Sequence, residues 1–333
     1  MHAVDEQVIT QVKAWLDANR HCWLATVIGT WGSSPRPVGS LLACDADGHL
    51  VGSLSGGCVE DDLLEKLTRG ELARDSAQFF TYGVSDEESE KFGLPCGGTL
   101  RIVIEPLPAD DETRGHIDHL VTALQERRHV QRTVDLKKQV KVCVDAEGYQ
   151  PLDWDENTQR LTHTYGPQQQ LFIIGAGMVS QYLASMAKYL DYAITVCDPR
   201  QQMLDDFPVD GINRVCDMPD DAVRELASDS SSAIVALTHD PRIDDMGLME
   251  ALQTEAFYVG ALGSSRTSAK RRERLKELDL TEEELDRLHA PVGLPIGSKT
   301  PPEIAVAILA EITAVKARAK VTVEARLDAL SAG

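Results

Sequence analysis

The chain has 333 residues, 43% of them hydrophobic, a length that asks for two or three domains and enough apolar material for more than one core. A net charge of −20 excludes a broad nucleic-acid surface, because neutralising phosphates takes clustered Lys and Arg that this chain has only locally. The start Met1-His2-Ala3-Val4-Asp5-Glu6 lacks a basic and apolar leader, and no apolar run approaches the roughly 18 residues that span a bilayer, so a cytoplasmic protein without a membrane partner is expected.

In chain order, residues 5–19 predict a helix, with Val8, Ile9, Val12, Trp15 and Leu16 at helical spacing, and 22–28 an apolar strand. The stretch 29–40 is too rich in Gly, Ser and Pro for regular structure and carries Trp31 and Arg36. It reads as a binding loop, with a plain surface loop as the alternative. Asp45-Ala46-Asp47-Gly48 predicts the turn of a hairpin joining 40–44 to 49–51. Gly52-Ser53-Leu54-Ser55-Gly56-Gly57-Cys58 then reads as a Gly/Ser loop opening a helix. Unpaired N–H groups and the helix dipole acidify a thiol in a first turn, which makes Cys58 a candidate nucleophile or soft-metal ligand, while Gly56 and Gly57 let a large ligand approach the backbone. The competing reading is a tight turn with an incidental cysteine.

A strand at 78–82 and an acidic run at 85–90 precede Leu94-Pro95-Cys96-Gly97-Gly98, which repeats the cysteine beside Gly-Gly and makes Cys96 a candidate companion of Cys58. A strand at 100–104, a helix at 110–128 and two short strands at 133–136 and 140–144 follow. The polar stretch 146–168, with Pro151, Gly166 and Pro167, reads as a linker. The amino-terminal domain is therefore placed at 1–145 and the carboxy-terminal one at 169–333.

The second half is built on Leu171-Phe172-Ile173-Ile174-Gly175-Ala176-Gly177, a buried-strand run breaking into a glycine turn and a helix that reaches Leu190. Gly175 suits the tight turn and Gly177 the approach of a phosphate to the helix start; Ser180 replaces the third glycine of G-x-G-x-x-G. A second run, 193–197, ends in Asp198, which lies 23 residues beyond Gly175, the offset of a ribose-binding acid; the alternative is that Asp198 caps its own turn. Alternation continues through strands near 214–216, 233–237 and 257–259. His239 and Asp240, after a strand end, are site candidates or a turn cap. Gly260-Ala261-Leu262-Gly263-Ser264-Ser265-Arg266 is a second glycine loop before a helix, where Gly263, Ser264 and Arg266 suit a phosphate or other oxyanion. Pro301 and the Thr300/Glu303 capping box start the last helix. The fold class is α/β, a Rossmann-like doubly wound parallel sheet after an α+β module.

Seven cysteines, at 22, 44, 58, 96, 143, 197 and 216, without C-x-x-C pairing, predict free thiols, and all but Cys58 and Cys96 sit in or beside apolar runs as small core residues.

Gly32-Ser33-Ser34-Pro35-Arg36-Pro37, Ser55-Gly56-Gly57-Cys58-Val59-Glu60 and Cys96-Gly97-Gly98 resemble the amino-terminal module of the XdhC/CoxI family, the xanthine dehydrogenase accessory proteins. Thr238-His239-Asp240-Pro241, Gly260-Ala261-Leu262-Gly263-Ser264, Gly293-Leu294-Pro295-Ile296-Gly297 and Thr300-Pro301-Pro302-Glu303 resemble that family's Rossmann module, so the likeness spans nearly the whole chain. The resemblance implies a chaperone without turnover that binds molybdenum cofactor, as molybdopterin or its cytidine dinucleotide form. It further implies support for cofactor sulfuration by a cysteine desulfurase and delivery to a xanthine dehydrogenase-type molybdenum hydroxylase. The glycine turns would cradle the pterin phosphate, and Cys58 with Cys96 would meet the metal or its sulfur. A homodimer is expected, since two-fold dimers are the commonest soluble assemblies. The rival reading is an NAD(P)-dependent oxidoreductase with Asp198 on the ribose and His239 as acid–base; a regulatory nucleotide sensor is a third.

Overall fold

A computed structural model describes residues 3–31, 36–83, 98–146 and 149–331, without the side chains of Ala3, Cys58 and residues 318–331. The chain divides into two units between Pro167 and Gln168. In the first, α1 (Ala3–Asp17) precedes β1 (Cys22–Trp31), β2 (Leu41–Asp45), β3 (Leu50–Gly52) and α2 (Cys58–Thr68). Then come β4 (Gln78–Tyr82), β5 (Thr99–Leu107), α3 (Asp111–Gln125), β6 (His129–Asp135), β7 (Val140–Ala146), β8 (Asp153–Asp155) and β9 (Arg160–Tyr165).

Strands β3-β2-β1-β5-β4 form an antiparallel five-stranded sheet, and β7-β6-β9-β8 an antiparallel four-stranded one. The unbroken apolar run of β1 follows from cover on both faces. Alternate residues point opposite ways, so Cys22 and Leu24 pack with Val8, Val12, Leu16, Ile117 and Leu120 of α1 and α3, while Trp23, Ala25 and Val27 pack with Val59, Leu63 and Leu67 of α2. Two expectations are corrected here. Gly29, Thr30 and Trp31 continue β1, paired with β5, instead of opening a loop; Gly32–Pro35 lie outside the described residues. The supposed linker 146–168 contains β8 and β9. Its composition is polar because β9 carries Thr162 and His163, yet Leu161, Thr164 and Tyr165 are buried, and Trp154 stacks on Phe79 with ring centroids 5.6 Å apart.

The second unit runs β10 (Gln170–Ile174), α4 (Met178–Tyr189), β11 (Ala193–Cys197), α5 (Gln201–Asp205), β12 (Asn213–Val215), α6 (Pro219–Leu226) and β13 (Ser232–Ala236). It continues with α7 (Pro241–Ala251), β14 (Tyr258–Ala261), α8 (Ser265–Glu277), α9 (Glu282–Asp286), β15 (Leu288–His289) and α10 (Pro301–Ser331). All six strands are parallel, in the order β12-β11-β10-β13-β14-β15, a doubly wound sheet whose order reverses between β10 and β13. Leu171 and Ile173 face the core shared with α4 and α10; Phe172 and Ile174 face the one shared with α6, α7 and α8.

Cys22, Cys44 and Cys197 are buried and Cys143 half-buried, and burial pushes the first three thiols up to about 12 and Cys143 to about 11. They are inert core residues. Cys216 departs from that expectation: it follows the short edge strand β12 and is exposed. Among the described residues no helix is long and apolar enough to cross a membrane.

Candidate functional site

The order reversal puts the carboxyl ends of β10 and β13 side by side, the place where open parallel sheets bind ligands. Gly175 leaves β10 there with φ 101°, donating to Cys197 O at 2.7 Å. A Cβ on it would lie 2.6 Å from Thr238 Cγ2, so glycine is required by close approach as well as by conformation. Gly177 is different. It is the N-cap of α4 in extended conformation, offers no side-chain cap, and a Cβ there would meet nothing within 4 Å among the described residues. The unpaired N–H groups of the first turn of α4 thus border open space, with no acidic residue in that turn. Ser180, in the third-glycine position, is fully buried, small enough for helix and strand to pack.

Asp198 follows β11, as its spacing predicted, but its carboxylate is engaged from within. Oδ1 accepts from Arg200 N at 3.0 Å and Arg200 Nε at 2.8 Å; Oδ2 accepts from Ala176 N at 2.9 Å and Arg200 Nη2 at 2.8 Å. Burial alone would push its pKa up, yet these hydrogen bonds outweigh it and hold the carboxyl below its ordinary range. Four donors fill the roughly four lone-pair sites of a carboxylate, and the side chain has no exposed surface. Asp198 shapes the glycine turn.

Along the same edge, His239 is exposed with φ 68°, and Asp240 caps α7, accepting from Arg242 N at 3.0 Å and from its guanidinium. Gly263 precedes Ser264, which caps α8 through Thr267 N at 3.2 Å. Arg266 is exposed and makes no ion pair among the described residues, so it is available to an anion. Behind it, Arg271 and Arg274 have a structural job. Arg271 is buried and binds Asp244 at 2.9 Å, Asp245 at 3.0 Å and Leu262 O at 2.9 Å, while Arg274 Nε holds Asp245 at 2.5 Å. Thr238 donates through Oγ1 to Asp244 at 2.7 Å, so this network ties α7 and α8 to the loop beside Gly175.

The amino-terminal unit holds the second candidate. Cys58 is the first residue of α2, as expected. Gly56 and Gly57 have φ 92° and 139°, and their N–H groups turn inward to Glu60, a residue the sequence reading passed over. Its Oε1 accepts from Ser53 Oγ, Leu54 N and Ser55 N at 2.9 Å each and from Gly56 N at 3.3 Å; Oε2 accepts from Ser55 Oγ at 2.6 Å and Gly57 N at 3.1 Å. Burial would raise its pKa, but this ring of donors outweighs it and brings Glu60 down to about 2. Glu60 is the third helical residue after Gly57, half of a capping box, and that spacing was the available signal. Among the described residues, a Cβ on Gly57 would meet nothing within 4 Å.

Cys96, and with it the idea that it joins Cys58, lies outside the described residues. Arg36 comes within 3.7 Å of the buried Asp5, which accepts from Leu41 N at 3.0 Å, so this cation sits against α1 and β2.

Comparison with known proteins agrees with both halves. Residues 15–83 match the model described as the XdhC and CoxI family, and residues 171–312 match the XdhC Rossmann domain. The chain is 28% identical over 299 residues to the molybdenum cofactor insertion chaperone PaoD of Escherichia coli (strain K12), covering 88% of this chain and 83% of that one. It is 24% identical over 334 residues to a Bacillus subtilis (strain 168) protein named as a probable subunit of xanthine dehydrogenase, covering 94% and 98%. A crystal structure described as a xanthine dehydrogenase from Bacillus halodurans is similar with a TM-score of 0.69 and 26% identity, over 93% of this chain and 96% of that one.

Proposed function

This chain belongs to the XdhC and CoxI family, and from that membership we propose that it binds molybdenum cofactor as cargo and serves its maturation for a xanthine dehydrogenase-type molybdenum hydroxylase, without turnover of its own. The observation that carries this reading over a nicotinamide-dependent oxidoreductase is Asp198. A dehydrogenase needs that carboxylate to accept from the ribose hydroxyls, and here Ala176 and Arg200 occupy it. The relative named as a molybdenum cofactor insertion chaperone supplies the cargo class.

The residues present fit such a cargo. Its phosphate end goes to the open start of α4 at Gly177, beyond Gly175, with Arg266 as the exposed cation of the neighbouring Gly263-Ser264 loop. Separately, in the amino-terminal unit, Gly56 and Gly57 lead to Cys58, a residue whose thiolate is a soft donor suited to molybdenum. His239 and Asp240 border the crevice as shape and cap.

The test is the small-molecule content of the full chain purified without air from a cofactor-producing host. Molybdenum and pterin together, with no nicotinamide nucleotide, are expected; bound NAD(P) without pterin would reverse the reading in favour of the oxidoreductase.

A further inference from the structure

A run such as Ser53-Leu54-Ser55-Gly56-Gly57 before a helix has the composition of an anion cradle, because two glycines with positive φ let successive N–H groups converge. In this chain they do converge, and the anion is already there. Six donors from residues 53–57, four of them backbone N–H groups, close on the Glu60 carboxylate at 2.6 to 3.3 Å. Glu60 is 7% exposed, and Ser55 Oγ also accepts from Val59 N at 3.2 Å, so the loop is bonded to the first turn of α2 from both directions. Gly57 has no side chain with which to cap that turn, which leaves the carboxylate as the group that orders the approach to Cys58.

The geometry points to Glu60 as the positioning residue of the Cys58 site, an internal anion on which the loop folds and which fixes where α2 begins. Resting on the reading of Cys58 as the functional sulfur, this assignment has a consequence for specificity. The inward N–H groups are occupied, so the loop offers a cargo no backbone anion cradle; what Glu60 orders is the helix start at which Cys58 stands.

Removing the carboxylate empties a hole lined by donors, and a small carboxylate added from solution should refill it. The experiment uses the full, cofactor-free chain, brief iodoacetamide labelling at one fixed pH and peptide mapping, with exposed Cys216 as the internal reference. Glu60→Ala should lower the labelling of Cys58 relative to Cys216 by about fivefold or more, since a frayed first turn no longer stabilises the thiolate. Formate should restore at least roughly half of that loss where chloride at equal ionic strength restores none. Glu60→Gln, which keeps the shape and one accepting oxygen, should fall between and covers the case in which the alanine variant does not fold. A ratio in both variants that stays within about twofold of wild type or rises above it overturns the assignment, as does a loss in Glu60→Ala that formate leaves untouched. Because no cofactor is present, the outcome is independent of the cargo, which Cys58→Ala tests separately through retained molybdenum.

Discussion

The two glycine-led helix starts, Gly57 before α2 and Gly177 before α4, look alike in sequence and are each held by a carboxylate, yet the carboxylates do opposite things. Glu60 lies inside its loop and takes up the backbone N–H groups of residues 54–57. Asp198 stands outside its turn, takes from that turn only the N–H of Ala176, and leaves the start of α4 without a side-chain cap. The first is a closed anion site that carries a cysteine; the second is an open one that carries none. A Gly-rich loop before a helix therefore does not by itself denote a phosphate site: what decides is whether a side chain of the same chain has already filled it.

Substitutions grade that contrast. The largest loss is expected at Gly175, where valine meets Thr238 and a φ of 101°; roughly 3 kcal/mol or more of stability should go, read by urea unfolding of the full chain. Acid comes next and strikes the amino-terminal unit. Burial, with Arg132 nearby, lowers His116 to about 4 and His163 to about 3. A histidine with a depressed folded pKa leaves stability intact above its unfolded value near 6.5 and removes it as pH falls toward the folded one. Between about pH 6.5 and 4 this should cost on the order of 2.5–3 kcal/mol for each histidine, with limited proteolysis cutting first within residues 3–167. Gly57→Ala should cost about 1 kcal/mol, because φ 139° is strained for alanine even though the added Cβ meets none of the described residues within 4 Å. Gly177→Val should cost least, about 1 kcal/mol or below, since it has room and only weakens a glycine N-cap.

Much of the second unit was legible because its signals are local. The apolar runs 171–174, 193–197 and 233–237 became β10, β11 and β13, and the G-x-G turn fell at the order reversal. The first unit was legible in its elements and opaque in its connections. Arg132 binds Glu105 through two bonds of 2.7 Å deep in the unit, across 27 positions, and nothing in the spacing announces that pair. The same holds for Arg271, whose guanidinium is buried against Asp244 and Asp245 across 27 and 26 positions. Strands β8 and β9 were mistaken for linker because their prolines and glycine flank the strands without interrupting them. Glu60 was within reach, three residues after Gly57, but a glycine N-cap hides half of the capping box by which such a residue is usually recognised.

The contrast between a closed cysteine loop and an open glycine turn is tested most directly by measuring bound molybdenum and pterin in Gly177→Val and Cys58→Ala, each purified without air from a cofactor-producing host. Both variants should stay folded. Gly177→Val should lose pterin and molybdenum together, by about tenfold, because a side chain fills the space at the helix start. Cys58→Ala should lose molybdenum by a similar factor of about ten while keeping more of the pterin, because only the soft ligand is gone. If both variants retain pterin and molybdenum at wild-type levels, neither turn holds the cargo and the account is contradicted.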